Sequence, residues 1–187
     1  MNRVYFVRHA KPDFSVKDEL IRPLSPEGID SSKKVKKFLK DKNISRIYSS
    51  PYKRSIDTVK ELSDFLHLDI EVIEDFRERK ICDNWIEDFN GFCEKQWNDF
   101  SYRLNNGESL REVQARNIKE LHRILNECKE ENIVIGTHGT ALSTIINYYD
   151  TNFNYASFYK IKDIMPLTVS CEFNGINLKD IKYILEL

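Results

Sequence analysis

Short apolar runs alternate along this chain with stretches of helical periodicity, and two of those runs lead into a histidine. Val4-Tyr5-Phe6-Val7 is followed by Arg8-His9-Ala10, and Ile133-Val134-Ile135 by Gly136 and then Thr137-His138-Gly139-Thr140. Apolar runs this short, separated by amphipathic segments, read as buried strands joined by helices. The alternation predicts an α/β domain of three layers around a mostly parallel central sheet. In open sheets of this kind, sites form beyond the carboxyl ends of the strands. Two imidazoles and at least one guanidinium, far apart in the chain, are therefore expected to meet at one end of the sheet.

The remaining elements follow from local signals. Ser25-Pro26 reads as a helix cap followed by proline in the first turn, with Ile29, Val35, Phe38 and Leu39 at helical spacing. Lys33, Lys34, Lys36 and Lys37 lie among them as a solvated face. Residues 46–49 form a second strand, Ser50-Pro51 repeats the cap-and-proline signal, and Ile56, Val59, Leu62 and Leu66 give the next helix its apolar stripe. Residues 70–73 are a third strand and residues 133–137 a fourth. Ser109-Leu110-Arg111-Glu112 fits a capping box, after which Leu110, Val113, Leu121, Ile124 and Cys128 mark a long amphipathic helix. Residues 141–149 read as a short helix. Residues 169–173 and 181–185 read as strands flanking Asn174-Gly175-Ile176-Asn177. Residues 80–106 carry Trp85, Phe89, Phe92, Trp97, Phe100 and Tyr102 without a strand pattern, which reads as core or cap packing.

Bulk properties exclude several classes. The chain has 187 residues, 41% hydrophobic and 32% charged, enough for one domain with a sizeable core. A net charge of -1 argues against a nucleic-acid or membrane-surface protein, so any anion affinity must be local. No run approaches the roughly 20 apolar residues of a membrane span, and the first residues lack the pattern of a secretory signal. Cys82, Cys93, Cys128 and Cys171 show no Cys-x-x-Cys spacing and read as free thiols of a cytoplasmic protein. No pair of histidines or cysteines has metal-ligand spacing, and there is no nucleotide-type phosphate loop. His67 and His122 sit among helical residues and read as bystanders.

The strand-end groups suit a phosphorylated substrate. A neutral imidazole can attack phosphorus, and guanidinium groups can hold the oxygens. Taken alone, His9 reads as a buried histidine satisfied by a carbonyl; Arg8 beside it and its strand-end position make it a candidate nucleophile. Arg8 and Arg54 are the candidate phosphate clamp, Arg54 near the start of its helix, although either could be a surface arginine. His138 could donate a hydrogen bond to a phosphate oxygen or simply cap its strand. Gly139 after it lets the backbone approach an anion. Glu78 is the candidate general acid. Arg77-Glu78-Arg79-Lys80 could instead be a charged turn, and Asp13, Asp83 and Glu87 are rivals.

These residues fall in an order that resembles the histidine phosphatase superfamily, also called phosphoglycerate-mutase-like. Val7-Arg8-His9-Ala10-Lys11-Pro12 resembles its Arg-His-Gly signature, and Leu24-Ser25-Pro26-Glu27-Gly28 its Leu-Thr-x-x-Gly segment. Tyr48-Ser49-Ser50-Pro51-Tyr52-Lys53-Arg54-Ser55-Ile56-Asp57-Thr58 resembles its Ser-Ser-Pro-x-x-Arg-x-x-x-Thr block. Phe76-Arg77-Glu78 with Trp85 is similar to its acid-bearing segment, and Gly107-Glu108-Ser109 and Thr137-His138-Gly139 complete the series. Three differences stand out. Ala10 replaces the glycine, Ser15 stands where the mutase branch has asparagine, and no glycine precedes Trp85.

The resemblance implies an α/β/α sandwich, a single domain over residues 1–187, and residues 80–106 as an insertion shaping the substrate mouth. It implies phosphorylation of His9, a phosphate pocket of Arg8, Arg54 and His138, proton donation by Glu78, and neither metal nor organic cofactor. The activity expected is that of a histidine acid phosphatase-type phosphomonoesterase acting on a small phosphorylated substrate. The alternatives are a phosphoglycerate mutase using the same phosphohistidine chemistry, or a catalytically silent phospho-ligand binding protein.

Overall fold

A computed structural model describes residues 1–83 and 86–184. The chain runs β1 (Asn2–Arg8), α1 (Pro26–Leu39), β2 (Ile44–Ser49), α2 (Lys53–Leu66), β3 (Ile70–Val72), a 3-10 turn (Glu74–Phe76), α3 (Phe89–Asn98), α4 (Leu110–Glu127), β4 (Asn132–Thr137), α5 (Gly139–Tyr149), α6 (Tyr155–Ile161), β5 (Leu167–Asn174) and β6 (Asn177–Ile184). The sheet order is β3-β2-β4-β1-β5-β6. The first four strands in that order are mutually parallel; β5 runs antiparallel to β1, and β6 to β5. The sheet is therefore mostly parallel, as the alternating sequence predicts.

Side chains alternate across the sheet with the strand period of two and build two cores. Val4 and Phe6 of β1, with Ile133 and Ile135 of β4, face the side covered by α3 to α6, where Leu110, Leu121, Ile124, Trp97 and Phe158 pack. Tyr5, Val7 and Val134 face the other side, against Val35 and Leu39 of α1 and Val59 and Leu62 of α2. Three layers result.

Register brings the site together. Arg8 lies opposite Thr137 and Ser49 opposite Gly136, so β1, β4 and β2 end at one level. The residues that follow, His9, His138 and Ser50, emerge side by side. Ser25 caps α1 through the amide of Gly28, and Ser109 with Glu112 forms a complete capping box on α4.

The structure departs from the sequence expectations at several points. Ser50 does not cap α2. The helix begins at Lys53 behind Tyr52; the Ser50 hydroxyl accepts from the Tyr52 amide at 3.2 Å, ahead of the helix, and lies against His138. Ile29 is exposed, because the buried stripe of α1 runs through Gly28, Ser32, Val35 and Leu39 and leaves Ile29 beside it. The stretch 80–106 contains a helix, α3, capped by Asp88 on the amide of Gly91, with Phe92 and Trp97 buried in the core as expected. A further helix, α6, is capped by Asn154. Trp85 and residue Leu185 lie outside the described residues.

Candidate active site

His9 is the first residue after β1, and its amide donates to the Thr137 carbonyl at 3.0 Å. Its Nδ1 lies 2.8 Å from the Ala10 carbonyl oxygen. A carbonyl can only accept, so Nδ1 carries the proton and the lone pair is on Nε2. Burial, and the positive charges of Arg54 and Arg8, hold His9 well below the usual histidine pKa. The imidazole is therefore neutral at neutral pH, with one unprotonated nitrogen. Ala10 is fully buried, and its amide donates to Thr58 Oγ1 at 2.9 Å, fixing the turn that carries the histidine.

His138 faces His9 edge-on, with ring centroids 5.2 Å apart. Its Nε2 lies 2.6 Å from Ser50 Oγ, and the Tyr52 ring stands 5.0 Å away. Complete burial, Arg54 and His9 depress its pKa well below the ordinary value. Arg8 crosses beneath Gly139; its Nη1 donates to the carbonyls of Ile161 at 3.0 Å and Ile164 at 3.1 Å. Desolvation lowers Arg8 to about 10, opposed by the Glu78 carboxylate, so the guanidinium stays charged. A Cβ on Gly139 would sit 3.2 Å from Arg8 Cζ, so glycine is what lets the side chain pass.

Arg54 is 4% exposed, in the first turn of α2. Its Nη1 donates to the Glu19 carbonyl at 2.8 Å, and its guanidinium stacks 4.8 Å from the Tyr52 ring. Burial lowers its pKa while the Glu19 and Glu78 carboxylates oppose that shift. Two polar atoms here, Arg8 Nε and His138 Nδ1, are buried without a hydrogen-bond partner among the described residues. A buried guanidinium whose donors are not all used is what an anion site requires.

Glu78 reaches the same place from the loop after the 3-10 turn. Its Oε1 accepts from the amides of Arg79 at 2.7 Å and Ala141 at 3.2 Å, and Oε2 from the Thr140 amide at 3.0 Å. The first amides of α5 thus point at this carboxylate. The sequence places the backbone that follows His138, Gly139 and Thr140, against the anion; in the structure the Thr140 and Ala141 N–H groups are taken by Glu78.

The rival carboxylates lie elsewhere. Asp13 accepts from the Ser15 amide and hydroxyl, Asp83 pairs with Lys80 and Asn106, and Glu87 is exposed. His67 ends α2 in a left-handed conformation, and His122 Nε2 lies 3.1 Å from the Tyr149 hydroxyl. Among the described residues no group of three or more histidines, cysteines or carboxylates is placed to hold a metal ion. No helix among them is long and apolar enough to cross a membrane.

Sequence reasoning did not assign Ser50, Thr58, Glu19 or the carbonyls of Ile161 and Ile164 to the site. Ser50 and Thr58 lie in the block that carries Arg54, so that block held a signal for them. The two carbonyls are backbone groups and leave no trace in residue type.

Residues 4–163 match the model of the histidine phosphatase superfamily (branch 1). The rat 6-phosphofructo-2-kinase/fructose-2,6-bisphosphatase 4 is 22% identical over 193 residues, an alignment covering 94% of this chain. This chain spans only 40% of that bifunctional protein. The phosphatase PhoE of Bacillus subtilis, described as uncharacterized, is 26% identical over 153 residues, 78% of this chain and 76% of its own. Among solved structures, YhfR of Bacillus stearothermophilus superimposes with a TM-score of 0.80 at 19% identity, over 96% of this chain and 95% of that one. The likeness in structure is one of fold.

Proposed function

This chain belongs to the histidine phosphatase superfamily (branch 1), and on that premise we propose that it hydrolyses phosphomonoesters through a phosphohistidine on His9. The observation that carries the reading is the state of His9: neutral, Nδ1 committed to the Ala10 carbonyl, Nε2 left to react, with Arg8, Arg54 and His138 around it.

The steps follow from the groups in place. Arg8, Arg54 and His138 hold the phosphate oxygens and take up charge as it builds there. His9 Nε2 attacks phosphorus and the P–O bond to the leaving oxygen breaks. Glu78 gives that oxygen its proton. Oε2 accepts only one of the three backbone donors, which leaves it a lone pair for that proton. In the second half Glu78, now a carboxylate, takes a proton from water. The water oxygen bonds to phosphorus, the P–N bond breaks and its electron pair returns to Nε2. Phosphate leaves, and Glu78 is protonated again.

The depressed pKa of His9 keeps the nucleophile unprotonated in mild acid, which supports the acid phosphatase-type assignment. The substrate in this reading is a small phosphorylated metabolite, and residues 80–106 shape its mouth. α3 supports that role: Trp97 stacks on Phe158 of α6 at 5.6 Å, and the chain at the end of α6 supplies the carbonyls that hold Arg8. Residence in the cytoplasm belongs to the same reading and is supported by the buried thiols Cys93, Cys128 and Cys171. The test is phosphate release from a panel of sugar, amino-acid and nucleotide monophosphates, with His9→Ala as control. Release by the parent and not by the variant is expected. Isomerised phosphoesters without free phosphate, or no turnover of any member, would overturn the proposal.

A further inference from the structure

Gly107-Glu108-Ser109 supplies no group to the phosphate pocket, yet it is tied to the loop that carries Glu78. Gly107 comes so close to that loop that a Cβ would run into the Ile81 carbonyl oxygen. The Glu108 amide donates to the Lys80 carbonyl at 2.8 Å, and its Oε2 accepts from the Lys80 amide at 2.9 Å. Oε1 also accepts from Arg77 Nη2 at 3.0 Å.

Arg116, inside α4 with its side chain 9% exposed, completes the arrangement. It binds Glu108 through Nε to Oε1 at 2.8 Å and Nη2 to Oε2 at 3.0 Å, a two-point fork. Its Nη1 donates to the carbonyls of Asp75 at 2.6 Å and Arg77 at 2.8 Å, and Nη2 to the Glu78 carbonyl at 3.3 Å. One guanidinium thus holds three carbonyls along 75–78, and Glu108 holds both sides of Lys80, the carbonyl through its own amide and the amide through its carboxylate. Burial alone would raise the Glu108 pKa. Arg116, the Lys80 amide and Arg77 outweigh it and keep the group below the usual carboxylate range, so the pair is ionic.

We propose that Arg116 and Glu108 are positioning residues for Glu78: their fork fixes the 75–80 backbone so that the Glu78 carboxyl meets the leaving oxygen. The idea rests on the reading of Glu78 as proton donor. A lysine at 116 keeps the charge but cannot present five donors in one plane. Glutamine at 108 keeps the shape but loses the ionic fork. Either change would leave Glu78 on a looser loop.

Proton donation matters most when the leaving alcohol is a poor one and little when it is an acidic phenol, which separates positioning of the acid from general damage. The experiment compares kcat/KM for an alkyl phosphate and for 2,4-dinitrophenyl phosphate in Glu78→Gln, Arg116→Lys, Glu108→Gln and the Glu78→Gln/Arg116→Lys double variant, with circular dichroism to check folding. General acid catalysis is commonly worth on the order of 100-fold or more, so Glu78→Gln should lose about that on the alkyl ester. Arg116→Lys and Glu108→Gln should lose roughly tenfold, with the dinitrophenyl ester changed by less than about threefold in all. In the double variant Arg116→Lys should add almost nothing, because its target is gone. If Glu78→Gln shows the split but the other two slow both esters alike or neither, the positioning role is wrong. If Glu78→Gln shows no split, the proton-donor reading itself fails. Should Arg116→Lys not fold, Glu108→Gln carries the same test.

Discussion

Ser50 Oγ and His138 Nε2 lie 2.6 Å apart, joining the residues that follow β2 and β4 in a buried hydrogen bond. The nitrogen an imidazole commits to one partner decides what the other can offer. Removing the hydroxyl leaves a buried ring nitrogen unpaired, a loss of about 1–3 kcal/mol. Ser50→Ala should therefore lower kcat by roughly tenfold while the melting temperature falls by only a few degrees. Steady-state kinetics and thermal melts on the same preparation check this. An unchanged kcat would mean that His138 is oriented by something else.

A pH effect follows from the two histidines. Both have folded pKa values well below 6.5, set first by burial and then by neighbouring cations. Below pH 6.5 the unfolded chain takes up protons at these positions and the folded one does not, so stability should fall as pH drops from 6.5 toward the folded values. Above 6.5 they contribute no slope. His138→Gln should flatten that acid limb in urea melts taken from pH 7 to pH 4.5, and a limb as steep as the parent's would contradict the assignment.

Gly139 and Arg8 make a steric prediction. A methyl group at 139 would stand 3.2–3.3 Å from Cζ, Nε and Nη2 of Arg8, which carbonyls on its far side hold in place. Overpacking of this kind costs about 1–3 kcal/mol. Gly139→Ala should push the guanidinium off its phosphate contact and weaken inhibition by vanadate by roughly tenfold, a shift of about 1.4 kcal/mol. Inhibition titrations measure it.

Arg54 is nearly inaccessible; its guanidinium donates to the Glu19 carbonyl at 2.8 Å and lies 3.8 Å from the Glu19 carboxylate. Loss of one preorganised donor at a charge-developing site typically costs on the order of 3 kcal/mol. Arg54→Ala should reduce kcat by about 100-fold or more. A near-normal rate would remove it from the pocket.

Much of this architecture is legible in the sequence because strand ends are abrupt. Val4 to Val7 and Ile133 to Ile135 are apolar, and the polar residues after them can only be at the sheet's end. What escaped depends on tertiary packing. Ser50-Pro51 looks like a helix cap locally, and only the fold brings His138, from 88 residues away, to its hydroxyl. Arg77-Glu78-Arg79-Lys80 reads as a charged turn of four exposed residues. In the fold Arg79 is buried against Gln96 and Phe92, Lys80 is exposed, and Glu78 turns onto α5. Arg116 reads as one more polar residue of an amphipathic helix, because its partners are carbonyls that no residue type announces. Helix α3 is not announced by the sequence although Phe89, Phe92 and Trp97 lie close to helical spacing, since a short run of aromatics reads equally well as core or cap packing without a helix.

The most direct test of the central claim is the covalent one. The protein is mixed with a turned-over phosphomonoester, quenched in alkali within the first turnover, digested, and mapped by mass spectrometry. The account predicts one phosphoryl group on the peptide containing His9, stable in base and lost in acid, and none in His9→Ala. A parent enzyme that releases phosphate with His9 unlabelled, or with the label on another residue, would contradict it.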